Sequence, residues 1–268
     1  MGRIIGKHIP SFKQIFHFLI FFLLIAVIIW FMARGSERLG YHWQWYRVPK
    51  YLFTLEEGSF TTGPLLKGLK ITIIVSSISL ILAFIFGLTT ALGRLSSSFV
   101  ARSLARGYIE ITRNTPLLVQ LFFIYFVLSP VLGINRFVSA VLALSLFEGA
   151  YASEIFRAGI VSIARGQWEA AHSLGLSSVD VYRFVILPQA IRRILPPLTG
   201  QAVSLVKDSA LVSTIAVYDL TMRGQEVIAE TFLTFEIWFT IAAIYLVINF
   251  ILSFITNTLE NRFRMVSN

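Results

Sequence analysis

Apolar residues in this chain fall in long blocks rather than in the short alternations of a β-barrel. Several blocks approach or exceed the roughly 18–20 residues that a helix needs to cross a bilayer. The pattern predicts an all-α, polytopic membrane protein. Its six predicted spans are residues 15–33, 66–93, 117–132, 137–158, 194–216 and 234–256. The short third span can extend backward through Thr115 and Pro116, because proline is tolerated in the first turn of a helix.

The first apolar block follows Arg3, Lys7 and Lys13, and a signal peptide also places basic residues before its apolar region. The block is long, however, and the residues that follow it, from Ala33 to Glu37, form no clear small-x-small cleavage site. We therefore expect a retained signal-anchor helix.

The distribution of basic residues predicts the orientation of these spans. With the N-terminus inside, the cytoplasmic segments carry 14 lysine and arginine residues and the outer loops carry 6. Those cytoplasmic segments are residues 1–14, 94–116, 157–193 and 257–268. Because cytoplasmic loops are enriched in lysine and arginine, both termini are predicted to be cytoplasmic.

The net charge of +9 raises the alternative of a nucleic-acid-binding protein, and the arrangement of the charges argues against it. Basic residues stand in short segments between apolar blocks, and there is no nucleic-acid motif. Only 14% of the residues are charged, whereas a soluble domain carries about a quarter. The absence of cysteine excludes disulfides, thiol catalysis and cysteine metal sites.

Residues 34–65, which follow the first span on the predicted outer side, are rich in aromatic side chains. They include Tyr41, Trp43, Trp45, Tyr46 and Tyr51. Aromatic residues of this kind favour the headgroup layer of a membrane. The segment is therefore interpreted as lying along the outer surface, and a contact surface for an external partner is the alternative.

Residues 165–188, between the fourth and fifth spans, are too polar to cross the membrane and too regular for a plain loop. A short helix is predicted from Gln167 to Leu174, with Trp168, Ala171 and Leu174 on one face. Gly175 suits the position at the end of a helix, where the backbone often adopts a left-handed conformation.

A second short helix is predicted in the same segment, with Ser177 or Ser178 as its N-cap and Asp180 near its positive end. Pro188 is then expected to stop or redirect the chain. Two short helices below a membrane bundle form a projection that can lie in a partner's groove. An amphipathic linker on the inner leaflet is the alternative.

The residues Glu169-Ala170-Ala171, then Gly175, then Ile186-Leu187-Pro188 resemble the EAA signature of binding-protein-dependent ABC importer permeases. The resemblance implies that this segment is the coupling helix, which docks in a groove of a cytoplasmic ATPase. The residues it assigns to coupling are Gln167, Trp168, Glu169, Ala170, Ala171, Leu174, Gly175, Leu187 and Pro188.

Two further segments resemble the polar amino acid subfamily of these permeases. They are residues 109–120 (IEITRNTPLLVQ) and 204–211 (SLVKDSAL). The resemblance covers residues 64–263, which it identifies as a type I importer permease core of five helices. Residues 1–63 then add one helix and an aromatic outer segment, and residues 264–268 form a tail.

The resemblance implies import of polar L-amino acids across the bacterial inner membrane by alternating access. The chain has no G-x-x-x-x-G-K-[ST] phosphate loop, so it needs partner subunits to bind ATP and Mg²⁺. The expected partners are an ABC ATPase dimer, a second permease (a copy or a homologue), a periplasmic or surface amino-acid-binding protein and the lipid bilayer. No cofactor, metal or nucleic acid is expected in this chain itself, and it is not expected to be an enzyme.

Ionisable residues inside predicted spans are hypotheses for function, because their burial in lipid is costly. Glu154 and Arg157 are one helical turn apart, which predicts an ion pair. Glu148 lies deeper in the fourth span; it either lines the substrate pathway or bonds to a neighbouring helix. Lys207 and Asp208 are adjacent, so they face different sides, and each has a structural, gating or substrate-contacting role.

Gln120 ends the resembling segment 109–120. With Glu148, Lys207 and Asp208 it completes the residues assigned to the substrate pathway. Two other functions compete with the importer. An ATP-independent carrier or channel would explain the spans but not the coupling segment. A membrane-embedded enzyme is disfavoured because the histidines are dispersed, with no HExxH spacing, and Ser209 and Ser213 lack a nearby histidine base.

Overall fold

The computed structural model describes residues 12–38, 40–56 and 59–265. The chain divides into two units, Met1–Trp45 and Tyr46–Asn268. In the first unit, helix α1 (Phe12–Arg38) contains the whole of the first predicted span. Trp43 and Trp45 stack with their ring centroids 5.9 Å apart and their planes nearly parallel.

The second unit is almost entirely helical where it is described. Its α-helices are α2 (Pro49–Leu52), α3 (Pro64–Leu95), α4 (Phe99–Arg113), α5 (Leu117–Phe122), α6 (Ser129–Leu132), α7 (Arg136–Val161), α8 (Arg165–Ser173), α9 (Ser178–Asp180), α10 (Leu187–Asp208), α11 (Leu220–Thr231) and α12 (Thr234–Met265). Two π-helices, Phe123–Leu128 and Val181–Ile186, connect α5 to α6 and α9 to α10. A 3₁₀ helix, Ser209–Ile215, follows α10.

One antiparallel hairpin interrupts the helical pattern in the aromatic segment. Strands β1 (Phe53–Glu56) and β2 (Ser59–Thr62) pair with Phe53 opposite Thr62. The predicted all-α fold class is confirmed, and this hairpin is a local addition that the sequence did not indicate. Each strand has only four residues, and β2 does not alternate apolar and polar positions, so the pattern is too short to recognise among the surrounding aromatics.

Helices α3, α7 and the Thr234–Thr258 portion of α12 are long and apolar enough to cross a membrane. The helical stretches 99–113 and 117–132 meet at an angle of 107°. If this bent pair crosses the membrane as one unit, it counts as a fourth span. Within α1 the described apolar stretch, Phe16–Ile28, is shorter than a span. The count of six spans and the orientation of both termini therefore stay predictions.

The predicted fifth span, residues 194–216, has the wrong boundaries. The helix begins at Leu187 and ends at Asp208, and the following residues form a 3₁₀ helix. Pro188 is also placed differently from the prediction. It lies in the first turn of α10, where its missing N–H is tolerated, and the helical path continues through it from the preceding π-helix.

The third span begins at Leu117 and does not extend backward. Pro116 has an extended conformation, with φ −60° and ψ 140°, and is the N-cap of α5. Two helices in predicted loops were missed, α4 on the predicted cytoplasmic side and α11 on the outer side. Each begins at a side-chain cap, Ser98 for α4 and Asp219 for α11.

Small residues let α3 and α7 pack closely at the centre of the bundle. A Cβ atom on Gly87 would lie 2.7 Å from the Cβ of Ala152 and 3.1 Å from the carbonyl oxygen of Gly149. The Ser79 hydroxyl donates a hydrogen bond to the Val141 carbonyl across the same interface. Such close backbone approach is typical of helices packed in membranes, where burial from water does not drive association.

Candidate coupling segment and charged sites

The predicted coupling segment forms a helix, a turn and a second helical run. Helix α8 ends at Ser173, and Gly175 follows with a φ of +79°, a left-handed conformation that suits glycine. Ser177 caps α9: its hydroxyl oxygen accepts a hydrogen bond from the backbone N–H of Asp180. The chain then runs through the π-helix into α10.

One side of α8 is anchored to the membrane bundle. Ala171 is buried in a cluster with Val181 and Ile186, and the same cluster continues to Phe156 of α7 and Ala91 of α3. The rings of Trp168 and Tyr182 pack edge to face with their centroids 5.0 Å apart. Helix α8 is therefore packed against α7 and α3, two helices long and apolar enough to cross a membrane.

The opposite side of α8 is exposed. Among the described residues, Arg165 is the one salt-bridge partner of Glu169, at 3.1 Å, and both side chains are mostly exposed. Ala170 and Gly175 are exposed as well, whereas Gln167 accepts a hydrogen bond from Gln189 of α10. These residues leave a free face on the projection that the resemblance assigns to ATPase docking.

Leu174 does not share the buried face of Trp168 and Ala171, contrary to the sequence prediction. It is 81% exposed and forms the C-cap of α8, where the backbone leaves the helical path. The helical spacing of i, i+3 and i+6 no longer applies beyond the last turn, so its side chain points elsewhere. Leu187 and Pro188 are likewise exposed at the start of α10.

Glu148 lies at the crossing of α7 and α10, with 1% of its surface exposed. Its Oε2 atom accepts a hydrogen bond from the side-chain amide of Gln201. The other carboxylate oxygen, Oε1, is buried without a partner among the described residues. Asp208 lies near the same carboxyl, and Lys207 lies near Asp208. The structure thus shows the interhelical hydrogen bond and brings the carboxyl groups of Glu148 and Asp208 within hydrogen-bonding reach of each other.

Glu154 stands at the centre of a cluster of positive charges about two turns before the end of α7. It contacts Arg157 at 3.0 Å, the pairing expected from the sequence, and Arg94 of α3 at 2.8 Å. Arg113 of α4 is also close enough to act on the Glu154 carboxylate. One carboxylate therefore faces three guanidinium groups.

Gln120 is positioned differently from a pathway residue. Its amide nitrogen donates to the carbonyls of Thr112 and Thr115 and to the Thr115 hydroxyl, at 2.8–3.1 Å. These bonds tie α5 to the end of α4 across the 107° bend. The side chain therefore stabilises the bend, and the substrate contact predicted from the sequence stays a prediction.

Sequence reasoning missed Gln201 and Arg94 as site residues. Gln201 carried a weak signal, because it is an uncharged polar residue inside the predicted fifth span, but the sequence does not show that it faces Glu148. Arg94 had none, because its contact with Glu154 joins residues sixty positions apart. Among the described residues no group of three or more histidine, cysteine, aspartate or glutamate side chains could hold a metal ion.

Long apolar helices around a buried polar crossing, with a short exposed helix packed beside them, define a polytopic membrane component. The comparison with known families is consistent with that class: residues 83–265 match the binding-protein-dependent transport system inner membrane component family. The chain belongs to this family. Its members are permease subunits that work with a separate ATPase and with a binding protein.

Two relatives among known proteins are similar over most of their length. The glutamine transport system permease protein GlnP of Escherichia coli (strain K12) is 40% identical over 75% of this chain and 94% of its own. The L-cystine transport system permease protein TcyB of Bacillus subtilis (strain 168) is 41% identical over 73% and 84%.

Solved structures agree with the fold. A crystal structure of an amino acid ABC transporter with histidines matches with a TM-score of 0.70 and 38% identity, covering 74% of this chain and 94% of that chain. An inward-facing MetNI methionine ABC transporter matches with a TM-score of 0.65 at 16% identity, which supports the fold alone.

Proposed function

We propose that this chain forms one half of the translocation pathway of a bacterial inner-membrane importer for polar amino acids. Support for the substrate class comes from the relatives, whose names refer to glutamine, cystine and other amino acids. The second half is a further permease, either a copy or a homologue. ATP and Mg²⁺ are bound by an ATPase dimer on the cytoplasmic side, and a binding protein delivers the substrate outside.

The observation that carries this proposal is how α8 packs: one side is buried against the bundle and the other is exposed. Its inner side is fixed through Ala171 to the cluster that reaches α7 and α3, while Glu169 and Gly175 stay exposed on the other side. A helix held in this way transmits a push from a docked ATPase to the membrane helices. A channel or an ATP-independent carrier has no use for such a projection.

The neighbouring carboxyl groups of Glu148 and Asp208 support a role in the pathway. Two acidic groups side by side away from water are costly, and a substrate ammonium or cationic side chain between them would lower that cost. We assign the first polar contact of the pathway to Glu148, with Asp208 and Lys207 beside it. Gln201 holds the carboxyl in place.

Co-purification and uptake test the proposal together. The tagged chain, produced with its ATPase and binding protein, should retain the ATPase through detergent extraction and take up an amino acid into proteoliposomes only with ATP. Glu169→Arg should release the ATPase, whereas Arg192→Gln, elsewhere on the predicted cytoplasmic side, should not. Robust uptake without any ATPase would establish the carrier instead.

The role of Glu148 needs its own variant. Glu148→Gln preserves the size of the side chain and removes the charge that a cationic group would meet. Uptake at limiting substrate is expected to fall about tenfold or more. Unchanged uptake at both limiting and saturating substrate would exclude Glu148 from the pathway.

A further inference from the structure

A polar cleft at the end of α4 lies outside the residues assigned to the pathway so far. It has a volume of about 300 Å³ and is lined by Ile109, Glu110, Arg113, Asn114 and Tyr151. Four of these residues belong to α4 and its C-cap, and Tyr151 comes from α7. The volume lies at the lower end for small-molecule sites, which suits a single free amino acid and not a peptide.

The cleft presents one cationic and one anionic side chain. The Arg113 guanidinium lies over the ring of Tyr151, 5.3 Å from its centroid, which fixes the direction of the arginine. Glu110 accepts a hydrogen bond from the side-chain amide of Asn114 at 3.1 Å. The two charged side chains are one turn apart on α4, so they offer opposite charges on the same face.

Among the described residues, Arg113 forms no salt bridge within 4.0 Å. The Glu154 carboxylate acts on it from outside the cleft, but its two oxygens are already bonded to Arg94 at 2.8 Å and Arg157 at 3.0 Å. One glutamate cannot balance three guanidinium groups. The excess positive charge at this end of α7 is therefore available to an anionic group in the cleft.

The position of the cleft along α7 connects it to the buried polar crossing. Glu148, Tyr151 and Glu154 follow one another at intervals of three residues, so each lies about 4.5 Å further along the helix axis. These side chains form a polar stripe from the buried carboxyl, past the cleft, to the predicted cytoplasmic end. This order puts the cleft between the buried carboxyl of Glu148 and the predicted cytoplasmic end of α7.

We propose that this cleft is a release-side subsite for a zwitterionic amino acid, in which Arg113 binds the α-carboxylate and Glu110 binds the α-ammonium. The inference rests on the proposed function and specifies where the substrate leaves. Asn114 and Tyr151 position the two charged groups. The recognition depends on the backbone of the amino acid, so different side chains are accepted.

Equilibrium binding to the detergent-solubilised complex of this chain and its ATPase, without binding protein, tests the subsite. The probe is the amino acid that the complex takes up from a panel of L-glutamine, L-histidine and L-cystine. Its carboxyl-amidated and N-acetylated analogues remove one charge each. Uptake and binding separate the two proposals. If no amino acid of the panel is taken up, the proposed function fails. If one is taken up, the binding measurements decide on the subsite alone.

The intact amino acid should bind the wild-type complex about tenfold or more tightly than either analogue. Arg113→Gln should weaken the intact ligand and abolish its advantage over the amidated analogue, whereas the advantage over the N-acetylated analogue should persist. Glu110→Gln should show the reverse pattern, and Arg113→Lys should restore part of the affinity.

Arg106→Gln provides the matched control, because Arg106 is exposed on α4 and does not line the cleft. Its binding should equal that of the wild type. Two results would overturn the subsite. One is that Arg113→Gln and Arg106→Gln lose the preference for the intact amino acid over both analogues to the same extent. The other is binding that depends on added anionic phospholipid rather than on the ligand's carboxylate, which would assign Arg113 to a lipid headgroup.

Discussion

The packing of α8 against the bundle can be measured by making the same substitution at Val181 and at Val179. The Val181 side chain is fully buried beneath α8, in the cluster that contains Ala171, whereas Val179 is 74% exposed two residues earlier. Valine to alanine removes two carbon atoms at either position. Only the buried site loses packing.

The cost at Val181 follows from the burial. Two buried carbons are worth about 1.6 kcal/mol in transfer free energy, and the cavity that remains raises the cost to about 2 kcal/mol. If this free energy holds α8 against the bundle, its loss increases local opening about 30-fold. Val179→Ala should change opening by less than about threefold, because exposed substitutions stay within about 0.5 kcal/mol.

Amide hydrogen exchange over Arg165–Ser173 in the purified complex measures this opening directly. The account predicts faster exchange in α8 for Val181→Ala, with α12 unchanged as an internal reference. ATP hydrolysis stimulated by the binding protein should fall in the same variant. Equal exchange in Val181→Ala and Val179→Ala would refute the reasoning, because it would show that α8 is not held by this cluster.

Three further predictions concern single positions. Gly175→Ala should destabilise the turn after α8 by about 1–2 kcal/mol, since its φ is +79° and nothing else crowds the site; exchange in α8 would report it, and no change would contradict it. Gly87→Ala should cost about 1–3 kcal/mol by forcing α3 from Ala152, and an unchanged melting temperature of the complex would refute the close packing. Burial raises the pKa of Asp219, the N-cap of α11, to about 6. The folded state then holds this proton more tightly than the unfolded state, so stability should fall by up to about 3 kcal/mol as the pH rises from 4 to 6. In Asp219→Asn this slope in melting temperature should vanish, and a slope equal to that of the wild type would assign it to other groups.

The parts of the fold that sequence patterns predicted well are those with a local physical cause. The long apolar blocks at α3, α7 and α12 produced helices that differ from the predicted spans by three residues or fewer at most ends. Gly175 at a left-handed position and Ser177 as a cap also follow from local backbone chemistry. These features require only residues that are close in the chain.

The features that sequence patterns missed depend on tertiary contacts or on competing local signals. The predicted fifth span, 194–216, lies too far along the chain compared with α10, which runs from Leu187 to Asp208. Charged residues in α10 lower its hydropathy, so the apolar pattern placed the span later. Gln120 belongs to a segment that resembles the subfamily, yet its amide is used within the α4–α5 bend. The bond between Glu148 and Gln201 joins two helices, and no periodicity within either helix could indicate it.

ATP-driven uptake into proteoliposomes, with and without the ATPase subunit, tests the central claim most directly. The vesicles contain this chain, its partner permease and ATPase, and the binding protein on the opposite side. The account predicts accumulation of a polar amino acid that requires ATP, ATPase and binding protein together, and its loss when Glu169→Arg releases the ATPase. Accumulation that continues without the ATPase would contradict it.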